Sequence, residues 1–172
     1  MSMNREIYFA GGCFWGVEHF FKQVNGVVET CVGYANGKTE NPTYKDVCTD
    51  TTGYAETVRV CYDPQVVSLG LLLDLYFMAI DPVSVNRQGE DTGTQYRTGI
   101  YYTDRQDVPA IEEKFRQEEK EIGASLAVEV LPLENFHNAE DYHQDYLDKN
   151  PGGYCHLPLE LFRYARNANR KS

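Results

Sequence analysis

The chain has 172 residues, 42% of them hydrophobic, and a formal net charge of −10 at pH 7. A chain of this length fits one domain that buries a substantial core without disulfide or metal staples. The acidic balance argues against a nucleic-acid partner, which would need a basic surface, and against adsorption to anionic membranes. Because no window approaches the roughly 18 apolar residues of a membrane span, we expect no membrane insertion.

The cysteines and the N-terminus bear on the compartment. The five cysteines are an odd number and widely scattered, which is not typical of a secreted disulfide framework. The polar residues 1–6 lead into only a short apolar stretch, so no signal peptide is expected. We therefore expect a cytoplasmic location, where a cysteine is either buried or reactive. We also expect the chain to be a monomer.

Strands and helices alternate along the chain. The hydrophobic pattern predicts strands over 5–10, 27–34, 55–62, 98–103 and 127–131, and helices over 14–24, 43–48, 68–79, 107–122, 139–149 and 159–168, with a long polar loop over 84–97. This order predicts an α/β (α+β) fold, a single-domain two-layer sandwich with one mixed β-sheet and packed helices. The domain would span 1–172, with a mobile C-terminal segment over 150–172.

The motif GGCFWG (11–16) places Cys13 where the first predicted strand gives way to a helix. Helix N-termini carry about half a positive charge and unpaired N–H groups, and both stabilise a thiolate. Because the thiolate is the nucleophilic form, this position makes Cys13 the best candidate for a reactive thiol. A buried core cysteine beside a glycine-rich turn is the alternative.

Phe14 and Trp15 are the first helical side chains beside this sulfur. Consecutive helical positions point about 100° apart, so the two rings cannot be equally buried. The pattern alone favours core packing, and the functional alternative is an apolar pocket wall next to the nucleophile.

Glu56 lies on the predicted strand 55–62, on the same side as Val58, Val60 and Tyr62. If that side faces the core, burial would raise the pKa of the carboxyl group and keep it protonated as a hydrogen-bond donor or acid. Taken alone, the pattern favours a strand end in solvent.

The positions of three further polar residues are, by themselves, weak evidence for a functional role. Tyr44 and Tyr96 are phenols in loop or short-helix settings and can donate a hydrogen bond to an oxygen. The chain has 13 tyrosines, so either one alone means little. Asp91 lies in the long polar loop, where a solvated acid is the default.

The remaining cysteines fall into two groups. Cys155 follows the flexible run 151–154, so its thiol could swing to a distant sulfur, or it is a stray surface cysteine. Cys31, Cys48 and Cys61 are expected to be structural. The four histidines show no metal-ligand spacing, and we expect no metal site.

Several short motifs occur in one order along the chain. They are GCFWG (12–16), VGY (32–34), NPTY (41–44), GYAE (53–56), NRQG with Asp91 and GTQYR (86–97), AEDYHQ (139–144) and KNPGGYC (149–155). In this combination the chain resembles the class A peptide methionine sulfoxide reductases over nearly its whole length.

The resemblance implies a set of chemical roles. Cys13 would attack the sulfur of methionine S-sulfoxide, and a protonated Glu56 would supply the proton that lets the oxygen leave. Tyr44 and Tyr96 would hydrogen-bond that oxygen. Cys13 would become a sulfenic acid, and Cys155 would condense with it to a disulfide.

The resemblance also implies the binding partners. Phe14 and Trp15 would hold the substrate methyl group, and Asp91 and His143 would contact the substrate backbone. Thioredoxin would reduce the disulfide by thiol exchange, so no metal or organic cofactor is implied. The expected function is the repair of oxidised methionine, free or in proteins.

Two departures from the family pattern are visible. Tyr54 stands where many relatives have His, which puts any tuning of Glu56 by that neighbour in doubt. The residues after Cys155 contain no third cysteine, so a two-cysteine cycle is expected. A thiol peroxidase, or a redox switch that uses only the Cys13–Cys155 pair, are the alternatives.

Overall fold

Eight β-strands make up the sheet structure. In a computed structural model that describes residues 4–169, they are β1 (Arg5–Gly11), β2 (Val27–Ala35), β3 (Ala55–Tyr62), β4 (Arg87–Gln88), β5 (Asp91–Thr92), β6 (Thr98–Tyr102), β7 (Glu129–Pro132) and β8 (Phe136–Asn138). Six of them form one sheet in the order β7-β6-β1-β3-β2-β8, and β4 pairs with β5 in a separate ribbon. The β6–β7 pair is parallel and the other pairs of the sheet are antiparallel, so the predicted mixed sheet is confirmed.

The main core lies between the helices and one face of the sheet. The helices are α1 (Phe14–Lys22), α2 (Tyr44–Cys48), α3 (Leu69–Ala79), α4 (Val108–Ile122), α5 (Tyr146–Lys149) and α6 (Leu159–Asn167). The longer helices α1, α3, α4 and α6 share one apolar cluster with the sheet, and a smaller cluster under Leu133 and Phe136 covers the other face. This is the predicted two-layer sandwich. Within residues 4–169, no helix is both long and apolar enough to cross a membrane.

Strand alternation decides which side chains face the helices. On β1, Phe9 faces the main core, and it lies opposite Val58 of β3. Neighbouring Ala10 belongs to the smaller cluster on the other face. Side chains alternate with a period of two, so Glu56 shares the core side with Val58. The sequence pattern of β3 therefore brings a carboxyl group to the buried face, and the solvent alternative for Glu56 is wrong.

The end of β1 is fixed by a buried hydroxyl group. Tyr76 of α3 donates a hydrogen bond to the carbonyl of Ala10 at 2.6 Å and accepts one from the Gly99 amide at 3.0 Å. Its side chain is fully buried. This contact joins α3 to β1 and β6 directly before the turn that leads into α1.

Local sequence signals account for several boundaries. The strand over 55–62 is confirmed, Ser68 caps α3 by accepting from the Leu71 amide, and Gly123 ends α4 in the left-handed conformation. The predicted loop over 84–97 holds the β4–β5 ribbon and a 3₁₀ turn at Thr94–Tyr96.

The continuous helix predicted over 139–149 is wrong. A 3₁₀ turn at Asp141–His143 is followed by extended Gln144, by Asp145 at φ +54°, and only then by α5. The Gln144 side chain bonds both the amide and the carbonyl of Val32 at 2.8 Å, and the Asp145 amide donates to Glu18 at 2.7 Å. These tertiary hydrogen bonds replace the helical ones. The short strand β8 was also not predicted, and it extends the sheet beyond β2.

The C-terminal part packs on the rest of the molecule. In α6, Phe162 and Ala165 are buried in the main cluster. The mobility expected over 150–172 stays a prediction, and its residues 170–172 lie outside the described part of the chain.

Candidate active site

The candidate nucleophile lies at the turn between β1 and α1. Cys13 is the N-cap residue of α1, as the glycine-rich motif predicted. Gly12 before it has φ +92°, which other residues rarely adopt, and a Cβ there would lie 2.7 Å from Cβ of Gln88. Glycine at position 12 therefore allows the turn and lets the β4 strand approach it closely.

The Cys13 thiol is buried, with 7% of the residue exposed. Burial raises the pKa of the thiol well above its usual value, and the nearby Glu56 raises it further. The backbone N–H of Trp15 at the helix N-terminus lowers the pKa without outweighing the burial. In this enclosed setting burial thus outweighs the helix N-terminus and favours the protonated thiol of Cys13.

Glu56 is 1% exposed and faces the first turn of α1. Its Oε1 accepts a hydrogen bond from the Phe14 amide at 3.2 Å, whereas its buried Oε2 has no hydrogen-bond partner within residues 4–169. Burial raises the pKa of the carboxyl group from 4.5 to about 8, opposed by the Phe14 N–H and assisted by the charge of Asp91. At neutral pH the group is mostly protonated, with one oxygen free to donate.

Tyr54 makes its side-chain hydrogen bond away from Glu56. The Tyr54 ring is buried, and its hydroxyl donates to the carbonyl of Thr39. A Cβ at Gly37 would overlap this ring, so the glycine makes room for it.

Tyr44 and Tyr96 are partly buried phenols near the Glu56 carboxyl group. Burial raises the pKa of both hydroxyls, and the charge of Glu56 raises each further. Both phenols are therefore neutral hydrogen-bond donors at physiological pH. The structure thus brings the two predicted tyrosines within electrostatic range of the predicted acid.

Glu140 fixes the start of the helix that carries Tyr44. Its two oxygens accept from the Tyr34 hydroxyl at 2.8 Å and from the Tyr44 amide at 3.0 Å. Burial opposes ionisation, but these hydrogen bonds hold the pKa of Glu140 below its usual value. Tyr34 lies opposite Glu56 in the β2–β3 register, so this ionised carboxylate positions α2 beside the site.

Phe14 and Trp15 differ in burial, as their helical spacing predicted. Phe14 is 1% exposed, whereas Trp15 is partly exposed. The indole of Trp15 stacks on Tyr146 with ring centroids 3.7 Å apart. Trp15 is therefore a rigid apolar surface beside Cys13 rather than a residue of the deep core.

His143 lies beneath these aromatic rings and is 1% exposed. Its Nδ1 accepts a hydrogen bond from the Trp15 indole at 2.9 Å, and its ring packs against Phe14 and Tyr44. Burial lowers the pKa of the imidazole, so the ring is neutral and its proton resides on Nε2. That Nε2 is buried and has no partner among the described residues.

The β4–β5 ribbon and the C-terminal segment meet at Asp91. The Asp91 carboxylate is partly buried and accepts from the Tyr154 hydroxyl at 3.0 Å. It also raises the pKa values of Cys13 and Glu56. Asp91 is therefore part of the site and not a solvated loop acid.

Cys155 packs against the first turn of α1. A Cβ at Gly16 would lie 3.0 Å from the Cys155 Sγ atom, so the glycine of the motif allows this approach. Cys155 is partly buried, and its charge would raise the pKa of Cys13. It also lines a groove of about 340 Å³ with Leu159 and Phe162. The second thiol is therefore near the first and is reachable from outside.

The other cysteines are not core residues. Cys31 and Cys61 are partly buried and Cys48 is exposed, and the structural role expected for all three stays a prediction. Among residues 4–169, no group of three His, Cys, Asp or Glu side chains is arranged to hold a metal ion.

Several residues at the site received no role from the sequence. Tyr34, Glu140, Tyr146, Tyr154 and His156 all contact the site. Strand parity could have identified Tyr34, because it shares a sheet face with Glu56. Tyr146 begins the short helix α5 and the other three lie in irregular segments, where local periodicity carries no information about tertiary contacts.

Two thiols, one buried beside a protonated carboxyl group and one more accessible, define a thiol-dependent oxidoreductase. A family model described as peptide methionine sulfoxide reductase matches residues 5–172. The chain belongs to this family, and it is a peptide methionine sulfoxide reductase.

Individual relatives agree with this assignment. The chain is 56% identical to peptide methionine sulfoxide reductase MsrA of Clostridium acetobutylicum over 92% of this chain and 98% of the relative. The reduced form of Mxr1 from Saccharomyces cerevisiae superposes with a TM-score of 0.86 at 38% identity, over 91% of this chain and 92% of the other. A structure of Mxr1 in complex with Trx2 gives a TM-score of 0.59 at 26% identity, over 83% and 84% of the two chains.

We expect Glu56→Gln to change the pH dependence of stability. The raised pKa of Glu56 means that the unfolded chain loses its proton first as pH rises from 4.5 to about 8, so the native state loses stability over this window. Glutamine cannot ionise, so the variant should gain free energy of unfolding relative to the wild type by about 1.4 kcal/mol per pH unit there. Urea titrations at several pH values measure this.

The matched control is Glu29→Gln, which removes an exposed carboxylate on β2. It should leave the pH dependence close to that of the wild type. Parallel curves for Glu56→Gln and the wild type would show that Glu56 is already ionised in the native protein.

Proposed function

We propose that this reductase acts on the S epimer of methionine sulfoxide, free or within proteins, through a Cys13 sulfenic acid that Cys155 resolves. The observation that carries the proposal is the buried, protonated Glu56 beside the Cys13 thiol, with its Oε2 lacking a partner in the described part of the chain. A sulfoxide oxygen can leave only after protonation, and Glu56 holds a proton at the right place for that purpose.

The aromatic side chains and the polar groups would bind different parts of the substrate. Phe14 and the exposed part of Trp15 would hold the methyl group, and Tyr44 and Tyr96 would donate hydrogen bonds to the sulfoxide oxygen. Asp91 would bind the substrate backbone. His143 would share that role after a shift of the rings above it, and it already orients Trp15 through their hydrogen bond.

The chemical step balances without an external proton. Glu56 protonates the sulfoxide oxygen while the Cys13 sulfur attacks the sulfoxide sulfur, and the thiol proton replaces the one that Glu56 gives up. The oxygen is transferred in net terms, so that methionine and a Cys13 sulfenic acid form from the sulfoxide and the thiol. A protonated thiol next to a protonated acid is therefore a competent resting state.

Cys155 would complete the cycle from its place beside Gly16. Its thiol condenses with the sulfenic acid, a disulfide forms and water leaves. Thioredoxin would then reduce the disulfide by attack on Cys155, the more accessible sulfur. The similarity to Mxr1, which has been solved in complex with Trx2, supports thioredoxin as the reductant.

Turnover of separated epimers tests the reaction. With a dithiol reductant, the wild type should release methionine over many turnovers from the S epimer of a blocked methionine sulfoxide and not from the R epimer. Cys13→Ser should reduce this release to background, because the nucleophile is lost. Cys61→Ser, at the far end of β3, is the control and should retain activity. Peroxide turnover faster than sulfoxide turnover would favour a peroxidase.

Cys155→Ser should separate reduction from recycling. The variant should release one equivalent of methionine per chain and then stop when thioredoxin is the reductant, because no disulfide forms. Quantifying methionine against enzyme measures the burst. Sustained turnover of this variant with thioredoxin would show that another cysteine resolves the sulfenic acid.

A further inference from the structure

His156 is anchored over the turn that carries the nucleophile. Its Nε2 lies 3.1 Å from the carbonyl oxygen of Gly11, and a Cβ at Gly12 would come within 3.1 Å of the same nitrogen. The ring therefore fills the space above the Gly11–Gly12 turn, although it belongs to the C-terminal segment. This contact explains why the segment after α5 stays close to the start of α1.

The other ring nitrogen of His156 and the sulfur of Cys155 lie against the same residue of α1, while the Cys155 thiol donates to the Leu157 carbonyl at 3.6 Å. A Cβ at Gly16 would lie 3.3 Å from His156 Nδ1 and 3.0 Å from Cys155 Sγ, so both atoms converge on the same small patch of α1. His156 Nδ1 is buried and has no hydrogen-bond partner in the part of the chain that the structure describes. A buried acceptor without a hydrogen-bond partner costs stability, so its place beside a thiol points to a role in the chemistry.

The hydrogen bond to the Gly11 carbonyl fixes the tautomer of His156. A carbonyl oxygen only accepts hydrogen bonds, so Nε2 carries the proton and Nδ1 of the neutral ring holds a lone pair. Burial lowers the pKa of His156, while Asp91 and the Gly11 carbonyl raise it. Of the titratable groups around it, Asp91 on β5 acts on the charge of the ring, and Cys155 on its own segment packs at the same residue, Gly16.

We propose that His156 Nδ1 is the general base that takes the proton from Cys155 in the resolving step. The proposal deepens the proposed function and rests on Cys155 as the resolving cysteine. The Cys155 sulfur attacks the sulfenic sulfur of Cys13, the S–S bond forms and the S–O bond breaks. The proton held by His156 returns to the departing hydroxide, and water leaves. Cys155 is oxidised and the Cys13 sulfur is reduced, so protons and electrons balance.

The resolving thiol needs such a base because its own surroundings do not activate it. Burial raises the pKa of the Cys155 thiol. Only the thiolate attacks efficiently, so a proton acceptor is needed at the moment of attack. A correctly placed general base typically accelerates such a step by about 10²–10⁴-fold.

The test follows the two steps separately in a single turnover. Reduced wild type is mixed with one equivalent of the S epimer, and quenched samples are analysed for methionine and for the Cys13–Cys155 disulfide by mass. His156→Gln is the main variant, because its side-chain amide can still donate to the Gly11 carbonyl while the base at Nδ1 is lost. His156→Asn is the second variant, and His137→Gln on β8 is the control.

We expect both His156 variants to release methionine at the wild-type rate and to form the disulfide at least about 100-fold more slowly. In the wild type, the rate of disulfide formation should fall at low pH, because protonation of the imidazole removes the base. The rate in the His156 variants should not show this fall. A His156→Gln variant with the wild-type rate would overturn the proposal. A slow variant whose rate of disulfide formation still falls at low pH as in the wild type would also overturn the proposal. His156 would then only hold the C-terminal segment in place.

Failures of the underlying function give different results. Wild type that releases methionine but forms no Cys13–Cys155 disulfide would overturn the resolving role of Cys155 and this proposal with it. Wild type that releases no methionine would overturn the proposed reaction itself.

Discussion

The hydrogen bond from the Phe14 amide to Glu56 joins β3 to the first turn of α1, and the site depends on it. This bond satisfies one oxygen of a carboxyl group that is buried. It is too weak a stabiliser to ionise the group, so burial dominates and the acid keeps its proton. The same enclosure keeps Cys13 a thiol. Burial thus favours the protonated form of both groups, and two protons are what the removal of an oxygen as water requires.

Glycines make this enclosure possible by allowing other segments to approach α1. Gly12 admits Gln88 of the β4 strand, and Gly16 admits Cys155 and His156 of the C-terminal segment. The motif around Cys13 thus encodes two contact surfaces in addition to a nucleophile. Substrate would enter beside Trp15, whereas the second thiol lies near Gly16. In the proposed cycle, this separation would let the Cys13 sulfur meet the substrate first and Cys155 afterwards.

Sequence patterns predicted the parts of this site that depend on local periodicity. The alternation on β3 placed Glu56 with Val58, and the helical spacing distinguished buried Phe14 from partly exposed Trp15. The pattern could not give the sign of the Cys13 pKa shift, because burial by distant segments outweighs the helix N-terminus. It also failed at Gln144, where side-chain bonds to Val32 replace a helix. In both cases long-range contacts outweigh a local preference.

The pH dependence of methionine release in a single turnover tests the central claim most directly. Wild type and Glu56→Gln are mixed with the S epimer across neutral to alkaline pH, and the rate of the first step is measured. If protonated Glu56 supplies the proton, the wild-type rate should fall with a midpoint near its pKa of about 8, and the variant should be slow without that midpoint. A wild-type rate that instead rises with pH, as a growing thiolate fraction would cause, would contradict the account.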